Sequence, residues 1–284
     1  MNYRYAWRRI VNAVMLSLTG LCALVAVSAL FIILGYLVVN GWRNLNWDFF
    51  TKLPKPVGET GGGMANAIVG SGILLFLAAV IGVPVGFIGG VYLAEYGGKT
   101  FSFLVRYTAD LLNGVPSVVM GIFIYTAVVI PMHGYSALAG GLALGVMLIP
   151  IVLRSTEQFL RAVPMSMREG AMALGARKWK AIVTVVIPAG YKGIATGILL
   201  SLARVAGEAA PLLFTSASNR FWNHGWFHGE TASLPVMIFY YALSPYEDWQ
   251  RQAWAAGLVL LGLVFFANIG AKLILSRGMS SGRA

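Results

Sequence analysis

Six apolar stretches set the terms on which this chain can fold. They run over residues 10–39, 64–94, 107–130, 136–153, 193–217 and 254–275, each about as long as a bilayer core is thick or longer. The composition agrees: 58% of residues are hydrophobic, 11% are charged and the mean hydropathy is +0.75. A soluble domain carries about 25% charged residues. Inside lipid every backbone N–H and C=O needs a partner, and residues in single runs find one only by forming helices. The expectation is an all-α polytopic membrane protein with six transmembrane helices. The first run is roughly twice the 7–15 apolar residues of a cleaved signal peptide, so it reads as an uncleaved first helix.

Charge orients the expected helices. The chain has 21 Lys and Arg. Fifteen fall in the N-terminus, the 95–106 turn, the 154–192 segment and the tail. Five fall in the two long loops 41–63 and 219–252, and Arg204 lies within a span. Basic residues collect on the cytoplasmic side. Both termini are therefore expected in the cytoplasm, in a bacterial inner membrane, with 41–63 and 219–252 outside. Those outer loops balance five basic against five acidic residues. Small residues four apart, Gly86 and Gly90 in the second span and Gly141 and Gly145 in the fourth, predict close helix contacts. Pro84 is expected to kink the second span.

Several chemistries are excluded. The net charge of +11 follows the membrane topology and forms no basic stripe with interleaved aromatics, so no nucleic-acid partner is expected. Gly97-Gly98-Lys99-Thr100 resembles the tail of a phosphate-binding loop, but its first glycine position holds Leu93. Any ATP-driven role therefore needs a separate ATPase chain. One cysteine, Cys22, allows no intrachain disulfide. His224 and His228 are four apart without a third ligand nearby, and Gly278-Met279-Ser280-Ser281-Gly282 matches a nucleophile motif only as a string in a terminal tail. Neither predicts a metal site or an enzyme.

The informative charges are those inside the apolar runs. Arg204 and Glu208 stand four apart in the fifth span, which predicts one helix face. A charge at the bilayer centre costs about 2.5–3.5 kcal/mol on insertion scales. Two readings are open: an ion pair that holds the bundle, or an arginine facing an anion pathway with Glu208 controlling its availability. Pro211 interrupts the ladder one turn later, as happens where a helix lines a cavity. Asp110 in the third span is open between a helix-end role and a gate-lining one. The segment 154–192 holds seven Lys and Arg against Glu157 and Glu169. It predicts a short helix, a turn at Gly175, and a second helix stopped before Pro188.

Within that segment, Glu169-Gly170-Ala171, then Gly175, then Val185-Val186-Ile187-Pro188 resembles the "EAA" loop of binding-protein-dependent ABC importer permeases. Gly170 replaces the usual alanine. The strings GGGMANAIVGS at 61–71, YLAEY at 92–96, LNGVPSVVMG at 112–121, RSTE at 154–157 and RVAGEAAPL at 204–212 resemble the phosphate-specific members of that class. Ala209 stands where related permeases often have threonine. The resemblance covers roughly residues 60–275 and implies a type I ABC importer permease (MetI-like) fold. It divides the chain into 1–63 (N-terminus, first helix and outer loop), a permease core at 64–276 and a tail at 277–284. It implies a non-catalytic subunit that forms half of a phosphate pathway. Arg204, Glu208, Asp110 and Asn113 would line that pathway. Glu169, Gly170, Ala171, Gly175 and Pro188 would couple to the ATPase. The implied partners are a PstC-type permease subunit, two ATPase subunits that use the ATP, an extracytoplasmic phosphate-binding protein, inorganic phosphate and the lipid bilayer; no cofactor is expected on this chain. Another oxyanion or a phosphonate as solute, and an ion-gradient transporter working alone, are the rival readings.

Overall fold

The structure is a computed structural model and describes residues 3–59, 61–222 and 225–277. Among these residues every regular element is helical. Five helices are long and apolar enough to cross a membrane, and a bent helix pair makes a sixth span. The first is α1 (Tyr3–Trp42), followed by the short α2 (Trp47–Thr51) and by α3 (Ala65–Glu95), which continues through Pro84. The 41–63 loop is thus partly helical, and Asn46 caps α2 by accepting from the Phe49 N–H at 2.8 Å.

The third span departs from the single helix expected over 107–130. It consists of α4 (Lys99–Gly114) and α5 (Ser117–Ile124), which continues as a wide π turn to Val129, bent by 100°. The cause is local. A residue before proline is pushed out of the helical region, and Val115, before Pro116, is extended at φ −69°, ψ 131°.

α6 (Ala137–Arg161) starts at the Ser136 cap, whose hydroxyl accepts from the Ala139 N–H. It ends eight residues beyond the expected Leu153. Arg154, Glu157 and Arg161 therefore belong to the span helix and not to the basic loop. The next elements are α7 (Met165–Ala173), a left-handed turn at Gly175 (φ +85°), and α8 (Lys178–Ala181). α8 leads through a π turn at Ile182–Val186 into α9 (Ile187–Ala206), so that Lys178–Ala206 is one continuous helix. The expected stop before Pro188 does not occur. Pro188 has no N–H for the Thr184 carbonyl, and the helix widens there instead of ending. The Ile187 N–H reaches back five residues to the Ile182 carbonyl.

α10 (Ala210–Thr215), α11 (Leu234–Ala242) and α12 (Glu247–Arg277) complete the chain. The expected outer loop 219–252 therefore contains a helix with Leu234, Val236, Met237 and Tyr241 buried. Leu234, Met237 and Tyr241 share a core with Phe49, Met64 and Ala256, while Val236 packs into a second core with Leu74 and Leu212. Asn66 and Ser71 of α3 fasten the segment by bonds to the Asn219 carbonyl (2.7 Å) and the Leu234 N–H (2.8 Å).

α3 and α6 form the centre of the bundle. Gly82, Gly86 and Gly90 lie against the backbone carbonyls of Gly145, Ile149 and Leu153, so close that a Cβ on any of the three would stand 2.7–2.8 Å from an oxygen. This extends the Gly86/Gly90 spacing by one turn and identifies its partner. α1, by contrast, is exposed along most of its length and packs by its last turns on α12, where Tyr36 meets Trp254 edge-on at 5.1 Å and Gly41 touches Leu258.

Candidate functional site: an arginine cavity and a charged nest

The break between α9 and α10 makes the candidate site. Pro211 cannot donate to the Gly207 carbonyl. The chain closes instead with short bonds, Gly207 N–H to Arg204 O and Glu208 N–H to Val205 O. Arg204 sits in the last turn of α9, where the helix dipole favours a cation. Glu208 lies in the non-helical link. The expected shared helix face is thus broken, and no ion pair among the described residues joins Arg204 or Glu208 to any partner.

Both side chains line one cavity of about 240 Å³. Its other walls are the α4–α5 bend, with Asn113, Pro116 and Ser117, and the middle of α6, with Pro150 and Ile151. Two of its three walls are therefore helix breaks. α10 closes over α5, with Pro211 against Gly121. A guanidinium without a carboxylate, an amide, a hydroxyl and one carboxylate make a donor-rich hollow with a single acidic group. That set can hold an oxyanion: Arg offers a planar fork to two oxygens.

Asp110 lies outside this lining, one turn below Asn113 on α4. It pairs with Arg154 of α6, Nε to Oδ1 at 3.0 Å and Nη2 to Oδ2 at 3.2 Å. Arg154 also reaches Glu157, at 3.1 Å. Glu157 is 2% exposed and gathers three arginines, with Arg106 Nε at 2.6 Å and Arg161 Nε at 3.0 Å from its Oε1. This nest ties α4 to α6 directly below the cavity. In the sequence Arg154, Glu157 and Arg161 fall within the charged 154–192 segment, where nothing joins them with Arg106 into a nest. The Arg154, Glu157, Arg161 spacing on one helix face was the available signal; the Arg106 contact, 51 residues away, left none.

The residues expected to couple to an ATPase cluster less completely. Glu169 and Gly170 are exposed on α7 and Ala171 half-exposed, and α7 has no buried residue at all. Leu174 is 91% exposed, just before the Gly175 turn. Pro188 stands apart from them, within the continuous Lys178–Ala206 helix. His224 and the 278–282 string fall outside the described residues, and no group of three metal-ligating side chains occurs among those described.

Comparison with known proteins places this arrangement. Residues 82–278 match the model of the binding-protein-dependent transport system inner membrane component. The phosphate transport system permease protein PstA of Yersinia pestis is 44% identical over 275 residues, covering 96% of this chain and 93% of that one. The PstA of Xylella fastidiosa (strain Temecula1) is 43% identical over 97% and 96% of the two chains. PstA 1 of Mycobacterium tuberculosis (strain H37Rv) is 37% identical over 94% and 88%. Among solved structures, a bacterial ABC transporter for import of the acidic polysaccharide alginate aligns with TM-score 0.61 at 16% identity, over 94% of this chain and 99% of that one. The inward-facing MetNI methionine ABC transporter aligns with TM-score 0.58 at 17% identity, over 74% and 92%. The fold is that of the MetI-like importer permeases, and the chain is a multi-pass inner-membrane transport subunit. It belongs to the binding-protein-dependent transport system inner membrane components and, within them, to the PstA family of phosphate transport system permease proteins.

Proposed function

We propose that this chain is the permease subunit of an ATP-driven importer of inorganic phosphate and that Arg204 contacts the anion in transit. The observation that carries the reading is Arg204 itself, a cation inside a membrane span, on a cavity, with no carboxylate among the described residues paired to it. An arginine kept only to hold the bundle would have its charge neutralised by a neighbour. The PstA relatives name phosphate as the solute of this family. Glu208 on the same wall keeps the hold weak enough for release. It also accepts a hydrogen bond from a protonated phosphate oxygen, which sulfate lacks near neutral pH. Asn113 adds an amide, and Asp110 acts through its pairing with Arg154.

The rest of the machine follows from the class. A PstC-type subunit supplies the other half of the pathway, two ATPase subunits consume the ATP, and an extracytoplasmic phosphate-binding protein docks on the outer segments around 41–63 and 219–252. The chain binds no cofactor and catalyses no reaction. Residues 64–276 are the permease core, flanked by 1–63 and the tail 277–284, with both termini in the cytoplasm. α7 carries Glu169, Gly170 and Ala171 to a groove on the ATPase, and the Gly175 turn sets the direction of the returning helix. Pro188 contributes from inside that helix by fixing the π turn. The test is Arg204→Ala in the assembled importer. Phosphate uptake falls at least about 100-fold while the subunits still co-purify; uptake at the unmutated rate would remove Arg204 from the pathway.

A further inference from the structure

α7 offers no buried residue to the bundle, yet something must fasten it if its motion is to be felt by the spans. One side chain reaches inward. Arg168, beside Glu169, is 13% exposed and its partner Glu95, the last residue of α3, is 5% exposed. The guanidinium is fully used. Its Nε and Nη2 donate to Glu95 Oε1 at 3.1 and 2.7 Å, and Nε also to Oε2 at 3.3 Å. Nη1 donates to the Val163 carbonyl at 2.6 Å and Nη2 to the Leu160 carbonyl at 2.7 Å. The last carbonyls of a helix have no partner within it, so Arg168 satisfies the end of α6 and the carboxylate at the end of α3 together. Lys178, on the far side of the Gly175 turn, donates to the Glu95 carbonyl at 2.5 Å and stands 4.6 Å over the Tyr96 ring. Both ends of the 165–178 segment are thus anchored at the end of α3.

This attachment is stiff for two reasons. A buried ion pair with all its donors placed is strongly opposed to separation, because either half alone would be an uncompensated buried charge. A five-donor fork also fixes direction as well as distance. Besides the continuous Lys178–Ala206 helix, the load has a route through α3 and α6. These two pack backbone to backbone at Gly82, Gly86 and Gly90, and α6 carries Pro150 and Ile151 into the Arg204 cavity.

We infer that Arg168, through Glu95 and the α6 carbonyls, is the positioning residue that passes movement of α7 to the walls of the arginine cavity. This rests on the reading of α7 as the ATPase-coupling helix. Glu169 faces the ATPase and Arg168 faces the bundle, so neighbouring residues hold the two ends of the transmission.

The experiment uses the complete importer in inside-out membrane vesicles, with Cys22→Ser to remove the native thiol and Ser117→Cys as a reporter in the cavity. The rate of labelling by a membrane-impermeant thiol reagent is measured with and without a non-hydrolysable ATP analogue. With Arg168 and Glu95 intact the analogue changes the rate at least about fivefold. Arg168→Lys keeps the charge and loses the fork; Glu95→Gln keeps the size and loses the ion pair. In both, the change falls below about twofold while the ATPase subunits remain bound in unmutated amount. A full nucleotide response in either variant overturns the inference, as does loss of the ATPase subunits from both, which marks Arg168 as structural only. The readout involves no phosphate, so a wrong substrate leaves it standing. Absence of any nucleotide response with Arg168 and Glu95 intact defeats the reading of α7 as the coupling helix, and the inference with it.

Discussion

Arg204 and Glu208 show how far single residues can be read from sequence. A charge inside an apolar run is conspicuous because it is costly there, and both residues do come to one cavity. Their geometric relation was not legible. An unbroken helix would stack them, whereas the missing N–H of Pro211 ends α9 at Ala206 and leaves Glu208 in a link. Separate placement gives Glu208 its own task. Glu208→Gln removes the negative charge that disfavours an unprotonated anion and puts a donor NH2 in place of one acceptor oxygen. Excess sulfate, without effect on phosphate uptake by the unmutated importer, then inhibits uptake by the variant several-fold; indifference to sulfate in the variant counts against the role. Glu157 went unread for the opposite reason. Its partners lie on two helices, and a sequence gives no distance between Arg106 and Glu157. Glu157→Gln leaves Arg106 and Arg161 without their counter-charge and Arg154 with Asp110 alone. The variant is expected to lose folded protein in detergent at a markedly lower temperature than the unmutated chain, measured as the fraction still monodisperse after heating.

At the scale of elements, the apolar runs located the spans while the breaks inside them decided the function. The ends of α1, α3 and α12 follow hydropathy within a few residues to a turn or two. The three proline positions behaved differently from one another, and each has a local cause. Pro116 bends the third span because Val115 is driven extended. Pro188 is absorbed by a π turn, in which the Ile187 N–H reaches the Ile182 carbonyl. Pro211 ends a helix because Gly207 precedes it and adds no side chain to hold the turn. Hydropathy also passes over α11, which is apolar but only nine residues long, too short for a span. The glycine row of α3 was legible as a spacing, and its partner surface on α6 was not. Gly86→Leu puts a branched side chain where a Cβ alone stands 2.8 Å from the Ile149 carbonyl. Overpacking of this kind typically costs about 1–3 kcal/mol and more when backbone must move. The expected result is a several-fold loss of membrane-inserted protein by immunoblot, with Gly72→Leu, at an open position on the same helix, as the tolerated control.

As a whole molecule, the chain is a closely packed central pair, α3 and α6, with a cavity on one flank and the anchored α7 segment at the end of both helices. The 41–63 and 219–252 segments fold into a core of their own with α11, and α1 stands away from the bundle except at its last turns. Half-built features of this kind suit a subunit whose remaining walls come from partners. α7 exposes Met165, Met172 and Leu174, and α1 leaves nearly all its apolar surface uncovered. None of these says alone that the assembly moves phosphate, or that ATP drives it. The measurement that decides both is uptake of radiolabelled phosphate in phosphate-starved cells lacking this chain, with and without the chain restored, under ATP depletion, under an uncoupler with ATP maintained, and with excess sulfate. The account predicts uptake that returns with the chain, disappears with ATP, survives the uncoupler and ignores sulfate. Uptake that never depended on the chain, or that collapses with the uncoupler while ATP is held, would contradict it.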